Sequence, residues 1–282
     1  MPNTLNTLDN IGGGSNGASA FTLNFDVSGT FTAPFALTVN LVVQAAGGSG
    51  GAGNVALGGN SGPWGIKQIS MAAGDVLAIT IPAAAAGVTG SGVAGNNGGT
   101  TTVTLNGVTI LTATGGEGGP ASASFAALNP ATVVSAITGA DVWYPGLQSG
   151  AMTTGGVSGR TGGAAVNVTG NGKGRSSSLS VSDASAGGSI GIASAASPSI
   201  AVDPVSTVNI YTFGIYPTGN VGKGGNGNSG GDGSAGGAFA GGGAGSAKGG
   251  AGGWGGGGGG SGSGLSGPGG PAYVSLRIVK DQ

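Results

Sequence analysis

The chain has 282 residues, of which 70 are glycine, and it contains no cysteine and no histidine. Without cysteine or histidine there can be no disulfide and no Ser-His-Asp or Cys-His nucleophile, and eight Lys+Arg against nine Asp+Glu leave a net charge of −1, which gives no basic field for nucleic acid. A positive mean hydropathy of +0.24 with so little charge argues for a folded chain, although each ordered glycine costs roughly 0.5–1 kcal/mol against alanine in a helix or strand, so dense backbone hydrogen bonding, oligomerisation or both must compensate.

Met1 to Ala20 is polar, carries Gly12-Gly13-Gly14, and reads as an attachment arm. It has no basic region followed by an apolar stretch, so no signal peptide is expected, and no run of about 18 apolar residues marks a membrane helix anywhere. From Phe21 the pattern has period two: Phe21, Leu23, Phe25 and Val27, a turn at Ser28-Gly29, then Phe31, and then Leu37, Val39, Leu41 and Val43. This predicts a half-buried hairpin or meander. A first glycine run follows at Gly47 to Gly53. Strands are expected at Ile66–Met71 and Val76–Ile81 around the turn Ala73-Gly74-Asp75, and a second glycine run spans Gly87 to Gly99. Thr101–Leu105 and Val108–Thr112 flank Asn106-Gly107, the strongest short hairpin signal. Gly115 to Pro120 forms a third run.

Residues 121–218 are richer in Ala, Ser and Val, with strands expected at Ser177–Val181 and Val205–Tyr216, and read as an elaboration of the 21–120 domain. Residues 219–282 hold the densest glycine, centred on Trp254 and Gly255 to Gly260, and close on the alternating Tyr273–Val279. A flexible Gly/Ser linker is one reading of this stretch. Packed polyproline-type helices, which approach closely only where side chains are absent, are the other. The closing strand favours packing, because it is useful only if the glycines return it to a sheet. No segment has a capped helical period, so the fold class is all-β with glycine-rich structure.

Phe31-Thr32-Ala33-Pro34 running through Val43 into Gly47-Gly48, the turn Ala73-Gly74-Asp75, and Gly269-Gly270-Pro271-Ala272-Tyr273-Val274 together resemble glycine-rich domains of bacteriophage virion proteins, over about Phe31 to Ile278. The resemblance implies a sandwich of stacked polyproline II glycine helices combined with β-sheets, on the virion exterior of a protein made in the host cytoplasm. It implies a tail fibre or fibre-tip adhesin, with capsid decoration or a head fibre as the alternative. The implied partners are other virion proteins and a host glycan, lipopolysaccharide or outer-membrane protein. Fibres of this kind are commonly homotrimers, and a monomeric tip is the other possibility. This chain lacks a fibre-docking domain in its N-terminal third and carries the long 121–218 insertion.

No cofactor, metal or catalytic residue is expected. Gly-x-Ser-x-Gly at Gly13–Gly17 and Gly47–Gly51 occurs by chance in so glycine-rich a chain, and Gly222-Lys223-Gly224 lacks the hydroxyl residue of a phosphate loop. Glu117, Asp141, Asp183 and Asp203 have no spacing that pairs them for glycan hydrolysis. The glycine repeats at 224–235 lack calcium-binding aspartates at the required positions. Recognition candidates are Trp143, Tyr144, Phe239 and Trp254, as aromatic anchors or sugar-stacking planes, and Arg160 and Arg175, which with Lys173 suit phosphate. Trp64 and Trp254 also read as staples over glycine sheets, whereas Trp143-Tyr144-Pro145-Gly146 reads as a turn-borne pair.

Overall fold

The alternation beginning at Leu37 becomes β3 (Leu37–Gln44), in which Leu37, Val39, Leu41 and Val43 are buried and Thr38, Asn40 and Val42 are partly covered. β3 lies at the centre of a five-stranded antiparallel sheet ordered β1 (Phe21–Phe25), β12 (Tyr273–Val279), β3, β5 (Trp64–Met71), β11 (Val142–Tyr144). A second antiparallel sheet runs β10 (Ile137–Thr138), β8 (Val108–Ala113), β7 (Thr101–Leu105), β6 (Val76–Thr80), β2 (Gly29–Thr32), and β4 (Val55–Ala56) pairs separately with β9 (Ala121–Ser122). The computed structural model describes residues 21–123, 131–132, 134–146, 148–149, 231–236, 241–245, 247–262 and 264–279, and these contain no helix.

Side chains of both sheets enter one hydrophobic cluster, which includes Leu41 and Val43 of β3, Leu276 of β12, Leu77 and Ile79 of β6, Val103 of β7 and Leu111 of β8. Each such burial is worth about 1.5–3 kcal/mol relative to exposure. Phe21 to Thr32 does not form the local hairpin its alternation suggests. β1 pairs with the C-terminal β12, Phe21 opposite Ile278, while β2 pairs with β6 in the other sheet. β5 begins two residues before the predicted Ile66, because Trp64 and Gly65 continue the ladder opposite Gln44 and Val43.

The Asn106-Gly107 hairpin forms as its sequence requires. Both residues have positive φ, 50° and 81°, the conformation of a two-residue type I′ loop. Asn106 also reaches the neighbouring turn, donating from Nδ2 to Asp75 Oδ1 at 2.8 Å and accepting at Oδ1 from Val76 N at 2.9 Å. The other Asp75 oxygen accepts from Ala72 N at 2.7 Å. These donors, Asn106 first and Ala72 second, hold the Asp75 carboxyl below the usual aspartate range. With the folded value depressed, its stabilisation is complete above the unfolded value and is lost as pH falls through the folded one. Thermal unfolding of Asp75→Asn across acid pH is expected to show a shallower acid limb than the parent; an identical limb would assign the acid sensitivity to other carboxylates.

The glycine runs pack backbone on backbone. Along Gly47 to Ala52 the N–H groups turn to three neighbours in rotation. Gly47 and Gly50 donate to Gly270 and Gly267; Gly48 and Gly51 donate to Asn60 and Leu57; Ser49 and Ala52 donate to Asn96 and Val93, all at 2.9–3.0 Å. Carbonyls of the same segment accept from two further segments, at Ala46 and Ser49 from Gly116 and Gly119, and at Gly48 and Gly51 from Gly258 and Ser261. The rule repeats elsewhere, where Gly249, Gly252 and Gly255 donate to Leu265, Pro268 and Pro271. Buried backbone is thereby satisfied without a sheet. Side chains are excluded for steric reasons: a Cβ on Gly48 would overlap the Glu117 carbonyl, and one on Gly59 the Gly48 carbonyl.

This glycine lattice leaves the sheets from one end. Gln44, Trp64 and Tyr273 share the last register row of the first sheet, and the chain continues from Gln44 into Ala45 and enters Trp64 from Pro63 and Tyr273 from Ala272. Phe21, where the preceding residues join, lies opposite Ile278, toward the other end of the strands.

Candidate functional site

Among the described residues β11 is an edge strand of three residues, all exposed: Val142 at 51 %, Trp143 at 40 % and Tyr144 at 38 %. An edge of this kind presents unpaired backbone groups beside apolar side chains, a combination that soluble proteins usually cover or charge. The aromatic pair expected on a turn therefore lies on a strand, held against β5 with Trp143 opposite Gly65 and Tyr144 opposite Trp64. The fit at Gly65 is tight, since a Cβ on it would stand 2.9 Å from Ile137 Cδ1 and 3.1 Å from Trp143 Cβ.

Tyr144 belongs to a row that crosses the first sheet through Trp64 and Gln44 to Tyr273. Residues directly opposite in antiparallel strands share a face. At one end of the row Tyr144 lies against Trp64, with centroids 5.8 Å apart and planes tilted by 36°. At the other end Trp254 stacks on Tyr273, centroids 4.7 Å apart and planes at 25°. Between them Gln44 donates from Nε2 to Gly62 O at 2.9 Å, and Gly255 passes so close that a Cβ would collide with the Gln44 side chain. Its φ of 66° is a second reason for glycine at this position,. Trp254, half-buried in its stack, has the geometry of the staple reading, while Trp143 and Tyr144 present much of their surface to solvent.

The segment carrying β11 is pinned to the lattice by a buried polar node. Glu117, 8 % exposed, accepts from Asn60 Nδ2 at 2.9 Å and from Val134 N at 2.6 Å. Asn60 in turn donates to Ala131 O at 3.0 Å and accepts from Ser149 N at 2.9 Å. One carboxylate and one amide thus hold both ends of the stretch that bears Trp143 and Tyr144. A second restraint lies at the crossover before β11, where Lys67 Nζ donates to Gly139 O at 2.7 Å and lies 3.9 Å from Asp141 Oδ1. Asp141 Oδ2 accepts from Gln68 N at 2.7 Å. The sequence offered no spacing that pairs Glu117 with another acid; burial and two N–H donors make it structural. The signal for this was its setting, a lone acid between two glycine pairs.

Phe239, Arg160, Lys173, Arg175, Asp183 and Asp203, and the strands expected at 177–181 and 205–216, lie outside the described residues. Among the described residues no three His, Cys, Asp or Glu side chains group as metal ligands, and no helix is long and apolar enough to cross a membrane. Chemically the surface offers aromatic planes and an open strand edge, which suit stacking and hydrogen bonding to a ligand. Comparison with protein-family models finds no match, and comparison with curated proteins finds none.

Proposed function

We propose that the chain is an exterior bacteriophage virion protein, a tail-fibre or fibre-tip adhesin, whose glycine lattice stiffens a surface that binds the host envelope. In this reading the two sheets stack as a sandwich and the glycine segments are polyproline II helices. Support for the helices comes from the three-way rotation of N–H donors along Gly47 to Ala52, as a helix of three residues per turn requires. Support for the sandwich comes from the single cluster shared by both sheets.

The observation that carries the functional reading is the exposed Val142-Trp143-Tyr144 edge beside the lattice, with Phe21 joined toward the other end of the same sheet. A protein held through residues 1–20 would turn the lattice border outward. Host glycan, lipopolysaccharide and outer-membrane protein all offer surfaces that aromatic anchors bind.

Immunogold labelling of intact particles with an antibody to the folded protein is the test. Gold at the distal tail is expected; gold spread over the head would replace adhesion with capsid decoration. On tail-labelled particles, Trp143→Ala with Tyr144→Ala is expected to lower host adsorption by tenfold or more, the loss of about 1.4 kcal/mol, with unchanged incorporation into virions. Unchanged adsorption would remove this edge from receptor binding.

A further inference from the structure

In Asn-Gly the asparagine side-chain amide is open to attack from the backbone, because glycine has no Cβ to hinder its nitrogen from approaching the preceding side chain. Gly107 N attacks Asn106 Cγ, the new N–Cγ bond closes a five-membered imide, and the Cγ–Nδ2 bond breaks as ammonia leaves with the amide proton. Water then adds to either ring carbonyl and opens the imide to aspartate or isoaspartate. Nothing is oxidised or reduced, and water is the one co-reactant. The Asn106-Gly107 turn is exposed, so water is at hand.

We infer that the Asp75 carboxylate and the Val76 N–H guard Asn106 against this reaction, and that Asn106 is a latent modification site unmasked when the Asp75 contact is lost. Both ends of the reacting amide are held. The leaving nitrogen, Nδ2, donates to Asp75 Oδ1 at 2.8 Å, and Oδ1 accepts from Val76 N at 2.9 Å. The assignment of the two amide atoms is fixed by the partners, since an ionised carboxylate only accepts and a backbone N–H only donates. Asn106 N also donates to Val76 O at 2.8 Å, so main chain and side chain are tied to the same residue. To bring Cγ onto Gly107 N the side chain must break away from both partners while the turn opens. The depressed Asp75 carboxyl keeps its charge through the neutral range. Modification would keep the contact from re-forming: the product carries a second carboxylate beside Asp75, and like charges at that spacing repel.

A comparison lies in the same molecule. In the lattice, Asn97-Gly98 is held differently: Asn97 Oδ1 accepts from Gly118 N at 2.9 Å, and the attacking nitrogen is itself engaged, Gly98 N donating to Gly116 O at 2.8 Å. Asp75 has no part in those bonds. The full chain and its Asp75→Ala variant are incubated at mildly alkaline pH, digested, and scored by mass spectrometry for amide-to-acid conversion at Asn106 and Asn97, with the parent chain in denaturant as reference. Expected are slow conversion at both sites in the folded parent and, in Asp75→Ala, acceleration of roughly tenfold at Asn106 alone, equal to about 1.4 kcal/mol of barrier. Conversion at Asn106 in the folded parent as fast as in denaturant would overturn the inference. So would a variant in which neither site, or both sites together, accelerated, because protection would then come from the fold as a whole.

Discussion

Gly50→Ala is expected to destabilise the protein by about 4 kcal/mol or more, the range reserved for severe steric or burial defects. A single methyl is added, but it has no free volume to occupy. It would overlap the Gly259 carbonyl and come within 2.8 Å of Gly260 N. Gly259 cannot retreat independently, since its own N–H donates to Gly250 O and its carbonyl accepts from Gly267 N. Relief must move several segments together, and close-packed interiors resist that. Gly107→Ala is the comparison, because its Cβ meets nothing within 4 Å and only its φ of 81° opposes it; about 1–2 kcal/mol is expected there. Denaturant unfolding of both variants decides the matter. Equal costs would mean that the lattice yields easily and that its glycines serve conformation more than contact.

Glu117→Ala is the second large effect, expected at about 2–4 kcal/mol, because it strips an acceptor from two donors in a mostly buried setting. Val134 N loses its partner outright, whereas Asn60 Nδ2 keeps Ala131 O. The damage should be local first. Hydrogen exchange at Val134 and Ser149 is expected to quicken together, since Asn60 links Glu117 to Ser149, and Trp143 emission should change as its strand loosens. Glu117→Gln separates charge from shape: one oxygen remains, but its NH2 faces an N–H donor, so a loss of about 1–3 kcal/mol is expected. Exchange confined to Val134 would sever the proposed link between this node and the aromatic edge.

Local chemistry made much of the fold legible. β3 announced itself by strict alternation from Leu37 to Val43, and Asn106-Gly107 by a turn that needs positive φ twice. Trp254 read both as a recognition anchor and as a staple over a glycine run poor in other apolar surface, and it stacks on Tyr273. What remained hidden depends on distant partners. The pairing of β1 with β12 joins the two ends of the described chain, and no feature of Phe21 to Phe25 selects that partner over its neighbour β2. β11 has three residues, too few to display a period, so its aromatic pair passed for a turn. Glu117 is buried where Asn60 and the segment at Val134 close on its carboxylate, an environment assembled only in three dimensions. Gln44 likewise became a junction residue only when Gly62 and Gly255 closed around it.

The rotation of donors along Gly47 to Ala52 gives the lattice something akin to a reading frame. Removing one residue from such a segment would turn every later N–H from its own neighbour to the next, so that the Gly50 donor, aimed at Gly267, would be replaced by one that had pointed at Leu57. Removing three would shorten the segment and restore each donor to its direction. Length variation inside the lattice should therefore be counted in threes, while the connections between segments, such as the one through Gly90 and Gly92, are free of that arithmetic. A scaffold of this kind can diversify its rim freely and its interior only in steps of three residues.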